Sequence, residues 1–330
     1  MDCNVAVVGC TGMVGRTFIK VLAERNFPIK NLYLYASSKS SGKVLKFKGK
    51  DFTVEELKED NIKNKKIDIA LFSAGASVSK EYAPIFARYG AVAIDNSSQW
   101  RMDKDIPLVV PEVNPEDIEW NKGIIANPNC STIQAMLPLK ALQKKYGIKR
   151  IVYSTYQAVS GAGVGGYNDL LEGYKGVSPK KFPYPIAGNV LPHIDVFLDN
   201  GYTKEEMKMI NETRKILHDD NLKITATTAR VPVFYGHSES INIELENKFE
   251  IEDVFKLFEN TNGLIVKDDV KNLVYPMAVD AAGHDEVFVG RIRKDFSVEN
   301  GLNLWVVADN IRKGAASNAV EIAECIIKNK

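Results

Sequence analysis

Val5-Ala6-Val7-Val8-Gly9-Cys10-Thr11-Gly12-Met13-Val14-Gly15 decides the fold. Four consecutive apolar residues are the mark of a strand buried on both faces. The chain then opens into a glycine turn. Val14, Phe18, Val21 and Leu22 follow at the spacing of one helix face. Strand, glycine turn and helix in this order form the context of a dinucleotide fingerprint. Glycines turn the backbone tightly and let it approach a pyrophosphate, which rests on the helix N-terminus. The spacing is Gly-x-x-Gly-x-x-Gly, a departure from the usual Gly-x-Gly-x-x-Gly.

The next strand, Leu32 to Ala36, runs into Ser37-Ser38-Lys39-Ser40-Ser41-Gly42-Lys43 with no carboxylate. In NAD-binding folds an acidic residue at this point holds the ribose 2′-hydroxyl. Hydroxyls and an ammonium suit a 2′-phosphate instead, so the expected cofactor is NADP. Further strand-helix units follow: Ile67–Phe72 ending at Ser73-Ala74-Gly75, a helix from about Ser79 to Tyr89, then Val92–Ile94 ending at Asp95-Asn96. Ligands of an open parallel sheet sit at the carboxyl ends of its strands. Ser73 and Asn96 are therefore expected to line a cofactor groove. Arg101, after a strand end, is a candidate anion clamp.

The 330 residues suffice for two domains. The formal net charge of +1 argues against nucleic acid or an anionic membrane surface as a partner. The four cysteines form neither a disulfide framework nor a metal spacing, which suits a reducing cytoplasm. No signal peptide, membrane span or metal site is expected.

Ile124-Ile125-Ala126-Asn127-Pro128-Asn129-Cys130-Ser131 reads as a strand, a turn and a helix start. Pro128 keeps Asn127 extended, and Asn129 and Ser131 are good N-cap types. Unpaired N–H groups and the helix dipole there favour a thiolate, so Cys130 is the candidate nucleophile. Arg150 to Gln157 reads as a strand, followed by the glycine-rich loop Ala158 to Gly166; Tyr174 to Pro192 reads as irregular surface. Thr203 to Glu206 is a capping-box pattern. It opens a helix whose buried stripe is read as Met207, Ile210 and Leu217. Glu212 and Lys215 share another face, either as a surface ion pair or pointing at a charged ligand. Arg230 ends one strand and His237 begins the next, so a short loop could bring a carboxylate fork and a proton carrier to one rim. Strands at Val287–Arg293 and Leu302–Ala308 follow, then a last helix with Ala315, Ala319, Ile322 and Ile326 on its apolar face.

The glycine turn, Asn127-Pro128-Asn129-Cys130-Ser131-Thr132, Tyr156-Gln157-Ala158-Val159-Ser160-Gly161-Ala162-Gly163, Glu212-Thr213-Arg214-Lys215 and Arg230-Val231-Pro232-Val233 with His237-Ser238-Glu239 together resemble the aspartate-β-semialdehyde dehydrogenase family. Phe288 to Asp295 and Trp305 to Asn310 resemble it too. The likeness runs in order through nearly the whole chain. It implies an α/β fold, with a Rossmann-type dinucleotide-binding domain over 1–130 completed by a C-terminal helix at 311–330. Residues 131–310 would form an α+β catalytic and dimerisation domain with a mixed sheet, as in glyceraldehyde-3-phosphate dehydrogenase. The stretch between Gly166 and Pro185 is short beside many members, where it often carries dimer contacts.

The resemblance also implies roles. Cys130 would attack an acyl phosphate, Gln157 orient the acyl group, and His237 act as general acid/base in its imidazolium and neutral forms. Arg230 would hold the substrate carboxylate and Glu212 its amino group, with Arg101 and Lys215 on phosphate. Gly9, Thr11, Gly12, Met13, Val14, Ser37, Lys39, Ser40, Ser73, Ser160, Gly161 and Asn310 would contact NADP. The implied reaction reduces L-4-aspartyl phosphate through a thioester to L-aspartate 4-semialdehyde and phosphate, in the cytoplasmic synthesis of lysine, threonine and methionine, by a homodimer or tetramer. An N-acetyl-γ-glutamyl-phosphate reductase shares the chemistry, but its acetylated substrate carries no ammonium for Glu212. A glyceraldehyde-3-phosphate dehydrogenase-type enzyme matches these motifs poorly. A non-catalytic nucleotide-binding relative would not need to keep both thiol and histidine.

Overall fold

The computed structural model describes residues 2–328. Met1, Asn329 and Lys330, which the domain reading takes in, lie outside them. The chain divides into two compact units, one running to Asn129 and resuming at Ala315, the other spanning Cys130–Gly314.

The first unit is a seven-stranded sheet with helices. Its elements are β1 (Cys3–Val8), α1 (Met13–Glu24), β2 (Ile29–Ala36), β3 (Val44–Phe47), β4 (Lys50–Glu56), β5 (Ile69–Phe72), α2 (Ala76–Arg88), β6 (Val92–Asp95), β7 (Ile124–Ala126) and, from the far end of the chain, α8 (Asn318–Lys328). The strand order is β3-β4-β2-β1-β5-β6-β7. All neighbours pair parallel except the hairpin of β3 and β4 at the edge. Val5, Ala6, Val7 and Val8 are wholly buried, as a central parallel strand requires. The last helix closes this core: Ala319, Ile322, Ala323 and Ile326 pack with Phe18, Leu22 and Leu71. Arg25 of the turn after α1 clamps Glu324 through two 2.8 Å hydrogen bonds. Ahead of α8 the backbone winds as a wider π turn over Arg312–Ser317, so the regular α-helix begins later than the expected 311.

The second unit holds α3 (Cys130–Tyr146), β8 (Ile148–Gln157), α4 (Gly163–Gly173), α5 (Lys204–Leu217), β9 (Lys223–Arg230), β10 (His237–Leu245), α6 (Ile251–Glu259), β11 (Leu264–Val266), α7 (Ala278–Ala281), β12 (Val287–Asp295) and β13 (Gly301–Ala308). Its sheet runs β11-β12-β13-β10-β8-β9, parallel at both ends and antiparallel in the middle. The fold is thus α/β with a Rossmann-type sheet and a second, mixed sheet. On β10 the odd positions are buried and the even ones half-exposed from Ser240 on. The odd face meets α3, a helix buried almost all round from Ser131 to Leu139.

Three local readings change. The glycine-rich stretch is not all loop: Gly163–Gly173 forms α4, where a Cβ on Gly166 would stand 2.6 Å from the Val159 carbonyl oxygen. Tyr174–Pro192 is irregular but not all surface, because Ile186 and Leu191 are buried with Val159 and Leu170. The Asp169 carboxylate accepts the N–H groups of Lys180, Lys181 and Phe182 at 2.7–2.9 Å and folds this segment back on α4. The α5 capping box is formed, but its buried stripe runs through Met209, Ile210, Thr213, Ile216 and Leu217, with Met207 only half-buried.

Candidate active site

In the first unit the glycine turn joins β1 to α1 as a cradle. Gly9 has φ +81°, and a Cβ there would lie 2.2 Å from the Ser73 carbonyl oxygen. A Cβ on Gly15 would lie 2.1 Å from the Gly9 oxygen, so the helix sits directly on the turn. Gly12 caps α1 with no side-chain hydrogen bond, leaving the first-turn N–H groups to a ligand. A cavity of about 460 Å³ opens here, lined by Gly9, Thr11, Gly12, Ser37, Ser73 and Tyr82 among others. These features fit the phosphates and adenosine of a dinucleotide. Met13 and Val14 begin the helix beyond the lining, and Lys39 and Ser40 stand in a short turn outside it.

The lining was only partly foreseen. Glu56, at the end of β4, reaches the same cavity. The absence of a carboxylate after β2 is therefore offset by one from the neighbouring strand, paired with Lys58 at 2.6 Å. Only the parallel pairing of β2 with β4 brings it there, and nothing in the local sequence marks that pairing. At the carboxyl edge of the same sheet Arg101 is buried, donating to the carbonyls of Asn127 at 2.9 Å and Asn96 at 3.0 Å.

The second unit contains Cys130, Gln157, Ser160, Gly161, Glu212, Lys215, Arg230, His237 and Asn310. Cys130 is the first residue of α3 and is partly exposed. Gly314 packs against it: a Cβ on that glycine would meet the Cys130 Cβ at 2.9 Å. Strand register lays three of the others in one row. Ser238 pairs with Tyr156, which sets His237 beside Gln157, and Gln157 pairs with Arg230. All three are buried on the face that meets α3.

His237 is wholly buried. Its Nδ1 accepts the Ala158 N–H at 3.0 Å, and its Nε2 has no partner among the described residues. An Nδ1 that accepts is unprotonated, so the neutral ring carries its proton on Nε2. Burial first, and the Arg230 charge second, hold its pKa well below the usual histidine value. The imidazolium expected from the sequence would set two N–H groups face to face at Nδ1. Of the two forms the resemblance implies, this geometry favours the neutral ring, which presents an Nε2–H donor. Gly161 leaves room for it: a Cβ there would stand 3.3 Å from Nε2 and 2.8 Å from Arg230 Nη1.

Arg230 donates through Nη1 to the Ala158 carbonyl at 2.8 Å, while its buried Nε has no partner among the described residues. Burial lowers its pKa, opposed by the charges of Glu205 and Cys130. Gln157 Nε2 donates to Glu205 at 3.2 Å and to Thr155 Oγ1 at 3.3 Å. Glu205 also accepts from Lys208 at 3.0 Å. Glu205 was not foreseen as a site residue, although it stands seven before Glu212 and so shares its face of α5. Glu212 is 1% exposed, which removes the surface-pair reading for that carboxylate. Ser160 Oγ and the Asn310 side-chain amide stand within 3.0–3.2 Å, and Asn310 Oδ1 accepts the Gly236 N–H at 3.0 Å. Among the described residues no cluster of three or more His, Cys, Asp or Glu could hold a metal ion.

A glycine-turn parallel sheet, with a thiol, a histidine and an arginine in the second unit, fits a dehydrogenase that uses a nicotinamide dinucleotide and a cysteine nucleophile. Residues 4–121 match the family described as semialdehyde dehydrogenase, NAD binding domain, and residues 139–313 its dimerisation domain. Aspartate-semialdehyde dehydrogenase of Aquifex aeolicus is 60% identical over 99% of both chains, and that of Legionella pneumophila 52% over 98% of this chain and 95% of its own. The solved structure of aspartate semialdehyde dehydrogenase II from Vibrio cholerae, complexed with ASA, superposes with a TM-score of 0.96 at 47% identity, covering 100% of this chain and 99% of that one. The Candida albicans enzyme, solved with NADP, superposes at 0.76 with 27% identity over 99% of each. The chain belongs to the aspartate-semialdehyde dehydrogenase family.

Proposed function

We propose that this enzyme reduces L-4-aspartyl phosphate with NADPH to L-aspartate 4-semialdehyde and phosphate through a thioester on Cys130, in the synthesis of lysine, threonine and methionine in the cytoplasm. The observation that carries the reading is the row of His237, Gln157 and Arg230 across three strands, with Cys130 close enough for its charge to act on Arg230. NADPH, when bound, supplies the hydride. Gly9, Thr11, Gly12, Met13, Val14, Ser37, Lys39, Ser40 and Ser73 are its proposed contacts in the first unit, and Ser160, Gly161 and Asn310 those in the second. Ser37 and Lys39 support NADP over NAD. Glu56 works against that preference, and its pairing with Lys58 weakens the opposition.

Each side chain then has a task. The Arg230 fork takes the substrate α-carboxylate. Glu212 takes the ammonium, and Arg101 with Lys215 takes the phosphate. Cys130, as thiolate, attacks the acyl carbon and phosphate leaves. Gln157, tethered to Glu205, orients the acyl group. The His237 Nε2–H donates to the oxygen as negative charge builds on it. When the hemithioacetal collapses the C–S bond breaks, the thiolate leaves and the carbonyl reforms. The oxyanion needs stabilising at that step, not protonating, so a neutral histidine suffices.

Assembly as a homodimer or tetramer is supported by the outer face of the mixed sheet. There Tyr156 and Trp305 lie with ring centroids 5.5 Å apart, beside a hollow of about 410 Å³ lined by Ser240, Tyr275, Met277 and Arg291. Substrate choice is tested by offering aspartyl phosphate and N-acetyl-γ-glutamyl phosphate side by side. Turnover confined to the first is expected; turnover confined to the second would replace the reading, because the acetylated amine gives Glu212 no ammonium to bind.

A further inference from the structure

Beneath the row of His237, Gln157 and Arg230 lies a second row on the same face. Glu239 pairs with Val306 on one side and Thr155 on the other, and Thr155 pairs with Thr228. Side chains two apart on one strand stand about 7 Å apart, and cross-strand neighbours about 5 Å. Glu239 is therefore the direct neighbour of His237 along β10 and of Thr155 across the sheet. Glu239 and Thr228 are 0% exposed and Thr155 2%. The row after it turns apolar with Ile241, except for Tyr153, whose hydroxyl bonds Thr213 at 3.0 Å.

Glu239 is the odd member of this layer. Among the described residues neither of its oxygens has a hydrogen-bond partner. Gln134 reaches over from α3, with Nε2 3.3 Å from the His237 carbonyl and 3.5 Å from that of Val306, while its buried Oε1 also lacks a donor. A buried carboxyl with no donor at either oxygen is held as the neutral acid at far lower cost than as the anion. Other groups face this carboxyl too. Glu205 acts on it from α5 and Tyr153 from β8. His237 stands on its own strand, and Arg230 couples to Glu205 and His237 from β9. Cys130 heads α3, and β13 offers no titratable residue.

We propose that Glu239 is a positioning residue of the active site: held as the protonated acid, it fixes the layer on which His237 and Gln157 stand, without touching substrate. Burial above all, and the Glu205 charge after it, support that protonation by raising its pKa well above the usual carboxylate value. Glu205, unlike Glu239, has donors at both oxygens, Lys208 at 3.0 Å and Gln157 at 3.2 Å. Two carboxyl groups in one buried place share a single proton rather than both ionising. Glutamine imitates the acid, and leucine fills the space with no donor.

The test compares Glu239→Gln and Glu239→Leu with the wild type in the full-length enzyme. Because this inference rests on the roles proposed for His237 and Gln157, it is read in two ways. In turnover, Glu239→Gln is expected to keep kcat near the wild type. Glu239→Leu is expected to lose about ten- to a hundredfold in kcat with KM little changed, as slight misplacement does. In folding, a raised native pKa means the native state holds the proton that the unfolded chain releases above 4.5. Wild-type stability then falls as pH rises from that value, and the glutamine variant escapes this loss. A glutamine variant with the same pH dependence of stability as the wild type would overturn the proposal, as would a leucine variant with unchanged kcat. The melting comparison needs no substrate, so an error in the assigned reaction would leave it intact.

Discussion

His237 shows how a single backbone contact sets a side chain's chemistry. The Ala158 N–H occupies Nδ1, and burial with Arg230 keeps the ring neutral. The consequence for stability has a definite sign. A base whose native pKa lies below the unfolded value of 6.5 contributes its full stability above that pH. That stability is lost as pH falls, because the unfolded chain takes up a proton that the native site refuses. Chemical denaturation at pH values above and below 6.5 should show this loss in the wild type and a smaller one in His237→Gln. In turnover, the kcat profile should show no ionisation near the ordinary histidine value. An imidazolium acid would make kcat fall as pH rises through its pKa.

At the scale of elements, the glycine turn carries the strongest local demand. Gly9→Ala places a Cβ against the Ser73 carbonyl at a positive φ, where strain costs about 1–3 kcal/mol. The variant should melt lower, and titration by fluorescence should show weakened NADPH binding. Overlap of both with the wild type would contradict the cradle. This turn was readable from the chain because strand, glycines and helix are adjacent in it. So were the start of α3 at Cys130 and the Thr203 capping box. The hairpin of β3 and β4 was not, since its short edge strands are rich in lysine and carry no apolar run. Helix α4 was hidden by glycines, whose low helix propensity is overridden where Gly166 must pass the Val159 carbonyl. The row of His237, Gln157 and Arg230 could be suspected from strand ends. Its neighbours Glu239, Thr155 and Thr228 depend on register between distant strands, which no local pattern encodes.

For the whole molecule, the exposed face of the mixed sheet and the C-terminal helix show how the chain is used. Arg25 and Glu324, far apart in sequence, tie the end of the chain to the first unit. In the assembly proposed above, a second copy packs on the aromatic face of Tyr156 and Trp305. Trp305→Glu sets a charge in that face, and sedimentation velocity should show its assembly shifted toward monomer, against an unchanged wild-type dimer or tetramer. An unshifted variant would place the interface elsewhere. The central claim is that Cys130 carries a thioester between phosphate and hydride chemistry. It is tested most directly in the reverse direction, by following NADPH absorbance with aspartate semialdehyde, NADP and phosphate for the wild type and Cys130→Ala. The account predicts NADPH formation that requires phosphate and falls by about four orders of magnitude or more in the variant. Turnover that proceeds without phosphate, or survives the loss of the thiol, would contradict it.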